Sequence, residues 1–287
     1  MSAIPAPERF IGAPRALVCG RYTLPLRRPL IMGIVNVTPD SFSDGGQFLD
    51  PAQAIEHASR LVEEGADILD IGGESTRPGA QPVPVEEELA RVLPVLRSVR
   101  DLPVPVSVDT LKPEVMRAAL ADGASMINDV NALRAPGAID AVRASNCAVC
   151  LMHMQGEPRT MQTAPHYDDV VAEVKTFLAQ RIAVCEAAGI ARERIVIDPG
   201  FGFGKSGQHN LALLRGLGAL RELGAAVLAG LSRKSTLGTI TGRGSEDRLA
   251  ASLAAALLAV ERGAAIVRVH DVAATRDALL VLRAVNG

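Results

Sequence analysis

Eight short apolar runs, each breaking off into polar or charged residues, set the plan of this chain. They are LIMGIVN (30–36), DILDIGGEST (67–76), VPVSVDT (104–110), ASMINDV (124–130), AVCLMH (148–153), RIVIDPG (194–200), AVLAGLSRKS (226–235) and AIVRVHD (265–271). Their interiors are near-continuous Val, Ile, Leu and Ala, the pattern of parallel strands covered on both faces. Helix-length stretches lie between them, expected at 51–64, 85–99, 113–121, 135–144, 168–188, 210–223, 245–262 and 272–284. The openings of these stretches carry Asp, Ser, Thr or Pro as caps and first-turn residues. Eight strand–helix units predict an α/β fold, a (β/α)8 TIM barrel. In such a barrel, active sites lie at the C-terminal ends of the strands. The polar endings fall at that end in every unit.

A chain of 287 residues suits one barrel and leaves little for a second domain. We expect a tail over 1–14 and a barrel domain over 15–287, with a short hairpin at 17–26 closing the bottom of the barrel. The 30 basic residues balance 32 acidic ones and aromatics make up 3%, so there is no basic stripe or stacking platform for nucleic acid. The longest uncharged apolar stretch, 249–260, is bounded by Arg248 and Glu261 and is too short to span a bilayer. The first residues lack the apolar core of a signal peptide. Cys147 and Cys150 are three apart on an apolar run, hence on opposite faces of a strand, and no second pair completes a zinc site. We read Cys19, Cys147, Cys150 and Cys185 as buried thiols, which fits a reducing cytoplasm.

Three connections, 37–50, 72–85 and 153–167, exceed what a turn requires, and all follow strand C-termini. The first two read as lids over the rim.

Asp109, Asn128, Asp198 and Lys234 end four of the runs. Converging on the barrel axis, they form a polar cup of two carboxylates, a carboxamide and an ammonium. Carboxylates accept from an amidine-like N–H/NH2 edge in bidentate fashion, Asn donates and accepts beside them, and Lys suits an adjacent carbonyl oxygen or ring nitrogen. The ligand described is a planar heterocycle such as a pterin. Asn36, Arg268 and His270 end the first and last runs, which become neighbours when a barrel closes. A guanidinium, an imidazole and a carboxamide suit a phosphate or its magnesium complex. Arg268 and His270, two apart, share a strand face. The Ser232–Ser235 run precedes a helix, whose first N–H groups attract an anion. The stretch from Gly202 to Gly207 formally matches G-x-G-x-x-G, but eight units favour a barrel over a dinucleotide-binding sheet. Its glycines let backbone approach a flat ligand, with Phe203 as an aromatic wall and Met152 lining the heterocycle's face.

Together these motifs resemble those of the dihydropteroate synthase family. The matching segments are NVTPDSFSDGG from Asn36, GESTRPG from Gly73, SVDT from Ser107 and DPGFGFGK from Asp198. LMHM from Leu151, SRKS from Ser232 and RVHD from Arg268 complete the set, which runs from about residue 15 to the end. The resemblance implies condensation of 6-hydroxymethyl-7,8-dihydropterin diphosphate with 4-aminobenzoate, releasing pyrophosphate. It assigns Asp109, Asn128, Met152, Asp198 and Lys234 to the pterin, and Asn36, Arg268 and His270 to a Mg2+-diphosphate with Asn36 on the metal. Phe42, Thr76, Pro78, Phe203 and Ser235 would shape the 4-aminobenzoate pocket. Asp44 and Arg77, with Lys234, Arg268 and His270, would act at the reacting carbon. A homodimer through outer helices is also implied. An SN1-like path fits this chemistry, because the dihydropterin can delocalise charge from its exocyclic methylene while the protein neutralises the leaving group and excludes water.

Two rivals stand beside this reading. A pterin-binding methyltransferase domain shares the barrel and the cup but has no use for a diphosphate site. A non-catalytic pterin-binding partner subunit would keep the cup without turnover.

Overall fold

The apolar runs do form strands, and the strands close on themselves. The structure is a computed structural model that describes residues 14–38, 51–75, 79–157 and 160–286. A two-stranded antiparallel hairpin, β1 (Ala16–Cys19) and β2 (Tyr22–Pro25), comes first. Eight parallel strands follow: β3 (Leu30–Asn36), β4 (Ile68–Gly72), β5 (Val106–Asp109), β6 (Met126–Asp129), β7 (Ala148–Met152), β8 (Ile195–Asp198), β9 (Ala226–Ala229) and β10 (Ile266–Val269). They pair in sequence order, and β10 pairs with β3 to close the barrel. The chain is a (β/α)8 TIM barrel with a short N-terminal hairpin.

Side chains alternate along each strand, which splits the core in two. Leu30, Met32, Ile68, Met126, Ala148, Cys150, Val196, Leu228 and Ile266 point inward and fill the lower barrel. Leu17, Cys19 and Leu26 of the hairpin pack into the same cluster and plug that end. The alternate residues, among them Ile31, Leu69, Val108, Ile127, Val149, Ile197, Val227 and Val267, face the helices in a second cluster. Cys150 belongs to the inner cluster and Cys147 to the outer one, so the C-x-x-C thiols do face opposite ways. All four cysteines are unpaired and buried.

The helices are α1 (Pro51–Glu64), α2 (Val85–Val99), α3 (Pro113–Ala121), α4 (Ala138–Arg143), α5 (Val170–Ala187), α6 (Gly207–Arg215), α7 (Ser235–Thr241), α8 (Leu249–Glu261) and α9 (Val272–Asn286). Asp169 caps α5 by accepting from the Val171 and Ala172 N–H groups, and Ser206 and His209 form a reciprocal capping box on α6. Three sequence expectations need correction. The helix expected over 210–223 is two pieces: α6 is capped at Gly216, which passes so close to α5 that a Cβ there would meet Val171 at 2.8 Å, and a 3-10 turn, Leu217–Leu223, follows. The one expected over 245–262 opens as a separate 3-10 turn, Ser245–Asp247, before α8. The stretch 135–144 is helical only from Ala138, after Gly137 at φ 83°.

Candidate active site

Inward-facing positions at the upper ends of the strands carry the polar residues. In β4, Ile68, Asp70 and Gly72 share the inner face, so Asp70 is an acid set among buried apolar side chains and is itself wholly buried. One of its oxygens, Oδ2, accepts from Asn128 Nδ2 of β6 at 3.0 Å and from Arg268 Nε of β10 at 2.6 Å. Arg268 Nη2 donates to Asp109 Oδ2 of β5 at 3.1 Å. Four strands thus deliver two carboxylates, a carboxamide and a guanidinium to one connected network. Burial pushes the Asp109 carboxyl up to about 7, with Arg268 pulling down and Asp70 adding to the rise. Burial works against the Arg268 charge too, but Asp70 and Asp109 outweigh it and the guanidinium stays protonated.

Asp198 ends β8 and is buried; its Oδ1 accepts from the Gly200 N–H at 2.7 Å, and burial raises its pKa against that hydrogen bond and Lys234. Lys234 lies beyond the end of β9 and turns back over the same corner. Its ammonium donates to the Phe201 carbonyl at 2.5 Å and stands 4.3 Å from the centre of the Phe203 ring. Burial lowers it to about 8, opposed by Asp198. Arg233, just before it, adopts φ 58°, strained for a residue with a Cβ. That backbone is pinned by a bidentate pair, Nη2 to Asp271 Oδ1 at 2.7 Å and Nε to Asp271 Oδ2 at 3.2 Å. Gly202, at φ 81°, lets the backbone run under Lys234, because a Cβ there would lie 3.2 Å from Lys234 Cδ. Met152 is buried with Val130, Met154 and Met161, and Phe203 packs against this thioether-rich patch.

His270, on the same inward parity as Arg268, has its Nδ1 at 2.9 Å from the Ser232 hydroxyl, and its backbone N–H donates to that hydroxyl at 3.2 Å. Asn36 closes β3 opposite Gly72, and its Oδ1 lies 3.9 Å from where a Gly72 Cβ would stand, with Asp109 on the other side. Ser235 is the first residue of α7. Asn36, Asp109, Asn128, Met152, Asp198, Phe203, Lys234, Ser235, Arg268 and His270 all lie at the C-terminal end of the barrel. Phe42, Asp44, Thr76, Arg77 and Pro78 lie outside the described residues.

Two groups central to this geometry were not singled out in the sequence. Asp70 joins Arg268 to Asn128, and Lys205 is a buried ammonium behind the 200–204 turn. An acid in the middle of ILDIG, on the parity of Gly72, was the available signal for the first. Among the described residues no cluster of three or more His, Cys, Asp or Glu side chains could hold a metal unaided. A magnesium ion keeps several waters and takes one or two protein oxygens when it rides on a diphosphate, so a single carboxamide such as Asn36 fits that role.

Comparison with known proteins agrees with this geometry. The family described as "Pterin binding enzyme" matches residues 32–270. Dihydropteroate synthase of Neisseria meningitidis serogroup B is 56% identical over 274 residues, covering 93% of this chain and 96% of its own. That of Escherichia coli K12 is 51% identical over 263 residues, covering 91% and 93%. Among solved structures, Xanthomonas albilineans dihydropteroate synthase with 4-aminobenzoic acid superposes with a TM-score of 0.90 at 60% identity, covering 95% of this chain and 98% of that one. Burkholderia cenocepacia dihydropteroate synthase complexed with 7,8-dihydropteroate gives 0.87 at 56% identity, covering 95% and 96%. A buried donor–acceptor cup at the mouth of a TIM barrel, in a chain this close to such enzymes over nearly its whole length, places it in the dihydropteroate synthase family of pterin-binding enzymes.

Proposed function

We propose that this chain condenses 6-hydroxymethyl-7,8-dihydropterin diphosphate with 4-aminobenzoate to give 7,8-dihydropteroate and pyrophosphate. The observation that carries the reading is the convergence of Asp109, Asn128, Asp198 and Lys234, with Arg268, on one buried corner of the barrel mouth. Asp198 and Asn128 accept and donate along the pterin's N–H/NH2 edge, Asp109 takes a further ring N–H, and Lys234 meets its acceptor side. The Met152 patch packs under the ring. Arg268, His270 and Asn36 face the diphosphate, and Asn36 would hold a magnesium ion there, which would supply charge neutralisation for the pyrophosphate. Phe203 and Ser235, with Phe42, Thr76 and Pro78, bound the 4-aminobenzoate pocket, while Asp44 and Arg77 act beside the reacting carbon.

Bond breaking runs ahead of bond making in this scheme. The electron-rich dihydropterin carries positive charge at its exocyclic methylene, and the carboxylates of the cup stabilise that charge. Arg268 and His270 stabilise the charge gathering on the leaving group. The amine then attacks, and water must be kept out until it does.

A cytoplasmic homodimer completes the proposal, with residues 15–287 as one catalytic unit. Four buried, unpaired cysteines support the reducing location, and no helix among the described residues is long and apolar enough to cross a membrane. Ile240, Leu249, Leu258, Leu280, Val281 and Val285 are exposed on the consecutive helices α7, α8 and α9, an apolar face that a second copy would cover. The decisive assay is pyrophosphate release by purified protein with Mg2+ and the pterin diphosphate. Release that depends on 4-aminobenzoate supports the reading, and absence of product would mark a binding subunit instead.

A further inference from the structure

The most enclosed cation among the described residues lies behind the 200–204 turn. Lys205 is 2% exposed, and its ammonium donates to the carbonyls of Gly200 and Phe203, each at 2.9 Å, and of His153 at 3.2 Å. It also meets His153 Nδ1 at 2.9 Å. Burial, with Lys205 alongside, lowers His153 to about 3, so the imidazole is neutral and its Nδ1 is the acceptor. Burial likewise lowers Lys205 to about 7 against the pull of Asp198, and the surrounding carbonyl oxygens accept from its ammonium form.

The carbonyls converge because of the glycines. Gly200, Gly202 and Gly204 have φ of 68°, 81° and 61°, and this alternation turns the backbone oxygens of the intervening turn inward. Side chains are excluded as well as unneeded: a Cβ on Gly200 would lie 2.0 Å from the His153 oxygen, and one on Gly204 2.3 Å from the Gln155 oxygen. The outer edge of the turn is tied separately, by Tyr167 Oη donating to Gly204 O at 2.8 Å and Gly202 N to Asn210 Oδ1 at 2.8 Å. This same turn presents two groups to the site. Phe201 offers the carbonyl that holds Lys234, and Phe203 offers the ring over which Lys234 stands.

We propose that Lys205 is a positioning residue: an internal cation that draws the 200–204 turn into shape and so sets the aromatic wall and the Lys234 contact that receive 4-aminobenzoate. The proposal rests on the assignment of Phe203 to that pocket. It deepens that reading by naming what holds Phe203 in place, since the three ammonium hydrogens are shared among the Gly200, Phe203 and His153 carbonyls and His153 Nδ1 and so tie the turn to the end of β7.

The test uses Lys205→Ala, Phe203→Ala and the double variant in the full chain, read by KM for 4-aminobenzoate, kcat, and calorimetric affinity for a pterin without the amine. Lys205→Ala should raise the KM for 4-aminobenzoate at least ~10-fold, while pterin affinity moves less than about 3-fold. In the Phe203→Ala background the same change should cost far less, because the two act on one wall. Propylammonium chloride should restore the low KM of Lys205→Ala by seating a cation among the vacated carbonyls, and sodium chloride at equal ionic strength should not. Should Lys205→Ala fail to fold, Lys205→Met keeps the packing of the stem and carries the same KM and double-variant readings. An unchanged KM in a folded variant, additive effects in the double variant, or equal losses of pterin and amine binding would each overturn the proposal. If Phe203→Ala itself leaves the KM unchanged, the pocket assignment fails rather than the role of the cation.

Discussion

Arg268 Nε donates to Asp70 Oδ2 at 2.6 Å across 198 residues of sequence, and the accepting carboxylate is wholly buried. The barrel makes this contact possible: β10 closes against β3, and β4 is the next strand round. Asn128 donates to the same oxygen, so one side chain holds a guanidinium and a carboxamide in fixed relation. The other oxygen, Asp70 Oδ1, is buried with no hydrogen-bond partner among the described residues.

Removing Asp70 should therefore damage both fold and site. Arg268 keeps its pair with Asp109 when Asp70 is lost, so the cost falls short of the about 3–5 kcal/mol of a buried charge left wholly uncompensated. Asp70→Ala should lower the urea midpoint accordingly and raise the KM for the pterin diphosphate by at least ~10-fold. Unchanged values of both would show that Arg268 and Asn128 are held by other means.

Arg268 and His270 should separate when truncated. Arg268 is bonded to two carboxylates of the cup, whereas His270 meets the Ser232 hydroxyl through both its ring and its backbone N–H. Arg268→Ala should weaken both the pterin diphosphate and a pterin lacking the diphosphate, because Asp109 loses its partner. His270→Ala should weaken the first by roughly 10-fold and the second hardly at all. Calorimetry with both ligands on both variants checks this, and identical profiles would refute the separation.

Why the sequence disclosed some of these groups and not others follows from what each residue's signal is. Asp109, Asn128, Asp198 and Arg268 sit near the ends of apolar runs in a chain with eight such runs, and the barrel rule alone puts them on one rim. Strand parity then puts Arg268 and His270 on one face. Asp70 lies inside its run, two residues before the end, where a buried acid looks like an interruption until its partner from β10 is known. Lys205 belongs to a glycine-rich turn whose alternating left-handed backbone no local pattern foretells. The short helix α7 is signalled by the Ser232–Ser235 run before it, but its extent is not, because its seven residues, with Gly238 and three Thr, have too little apolar periodicity.

Substrate order should follow from the shared wall. Phe203 packs on the Met152 patch proposed to lie under the pterin, and Lys234 spans the two subsites. A seated pterin diphosphate thus completes the surface against which 4-aminobenzoate packs. Affinity for the amine scales with the fraction of protein in which that surface exists, so the free enzyme should bind it poorly. Pterin with Mg2+ and pyrophosphate should rescue binding. Equally tight titrations with and without these ligands would exclude ordered addition.

The last expectation concerns pH, and it sets binding against stability. Binding of the pterin edge calls for Asp109 as carboxylate and Lys234 as ammonium. Burial holds Asp109 up at about 7 and Lys234 down at about 8. Burial shifts Asp198 in the same direction as Asp109. Pterin affinity should therefore peak between about 7 and 8. It should fall by up to ~10-fold per pH unit for each proton gained below that range or lost above it. The effect on folding has the opposite sign. The folded pKa of Asp109 lies above its ordinary 3.8, so the folded chain binds the extra proton and loses stability as pH rises from about 4 to about 7. The folded pKa of Lys234 lies below its ordinary 10.5, so the unfolded chain binds more protons between about 8 and 10.5, and stability rises with pH there. On account of these two groups the protein is least stable where it binds best, as expected of a cup prepared for a ligand rather than for folding. Titration with a pterin alone isolates them from Lys205, which bears on the amine side. Asp109→Asn should flatten the acid limb and Lys234→Met the alkaline limb. Binding near pH 6 should also release a proton, visible as a calorimetric enthalpy that changes with the buffer. Affinity constant from roughly pH 6 to 9 would mean that these two groups do not govern the cup.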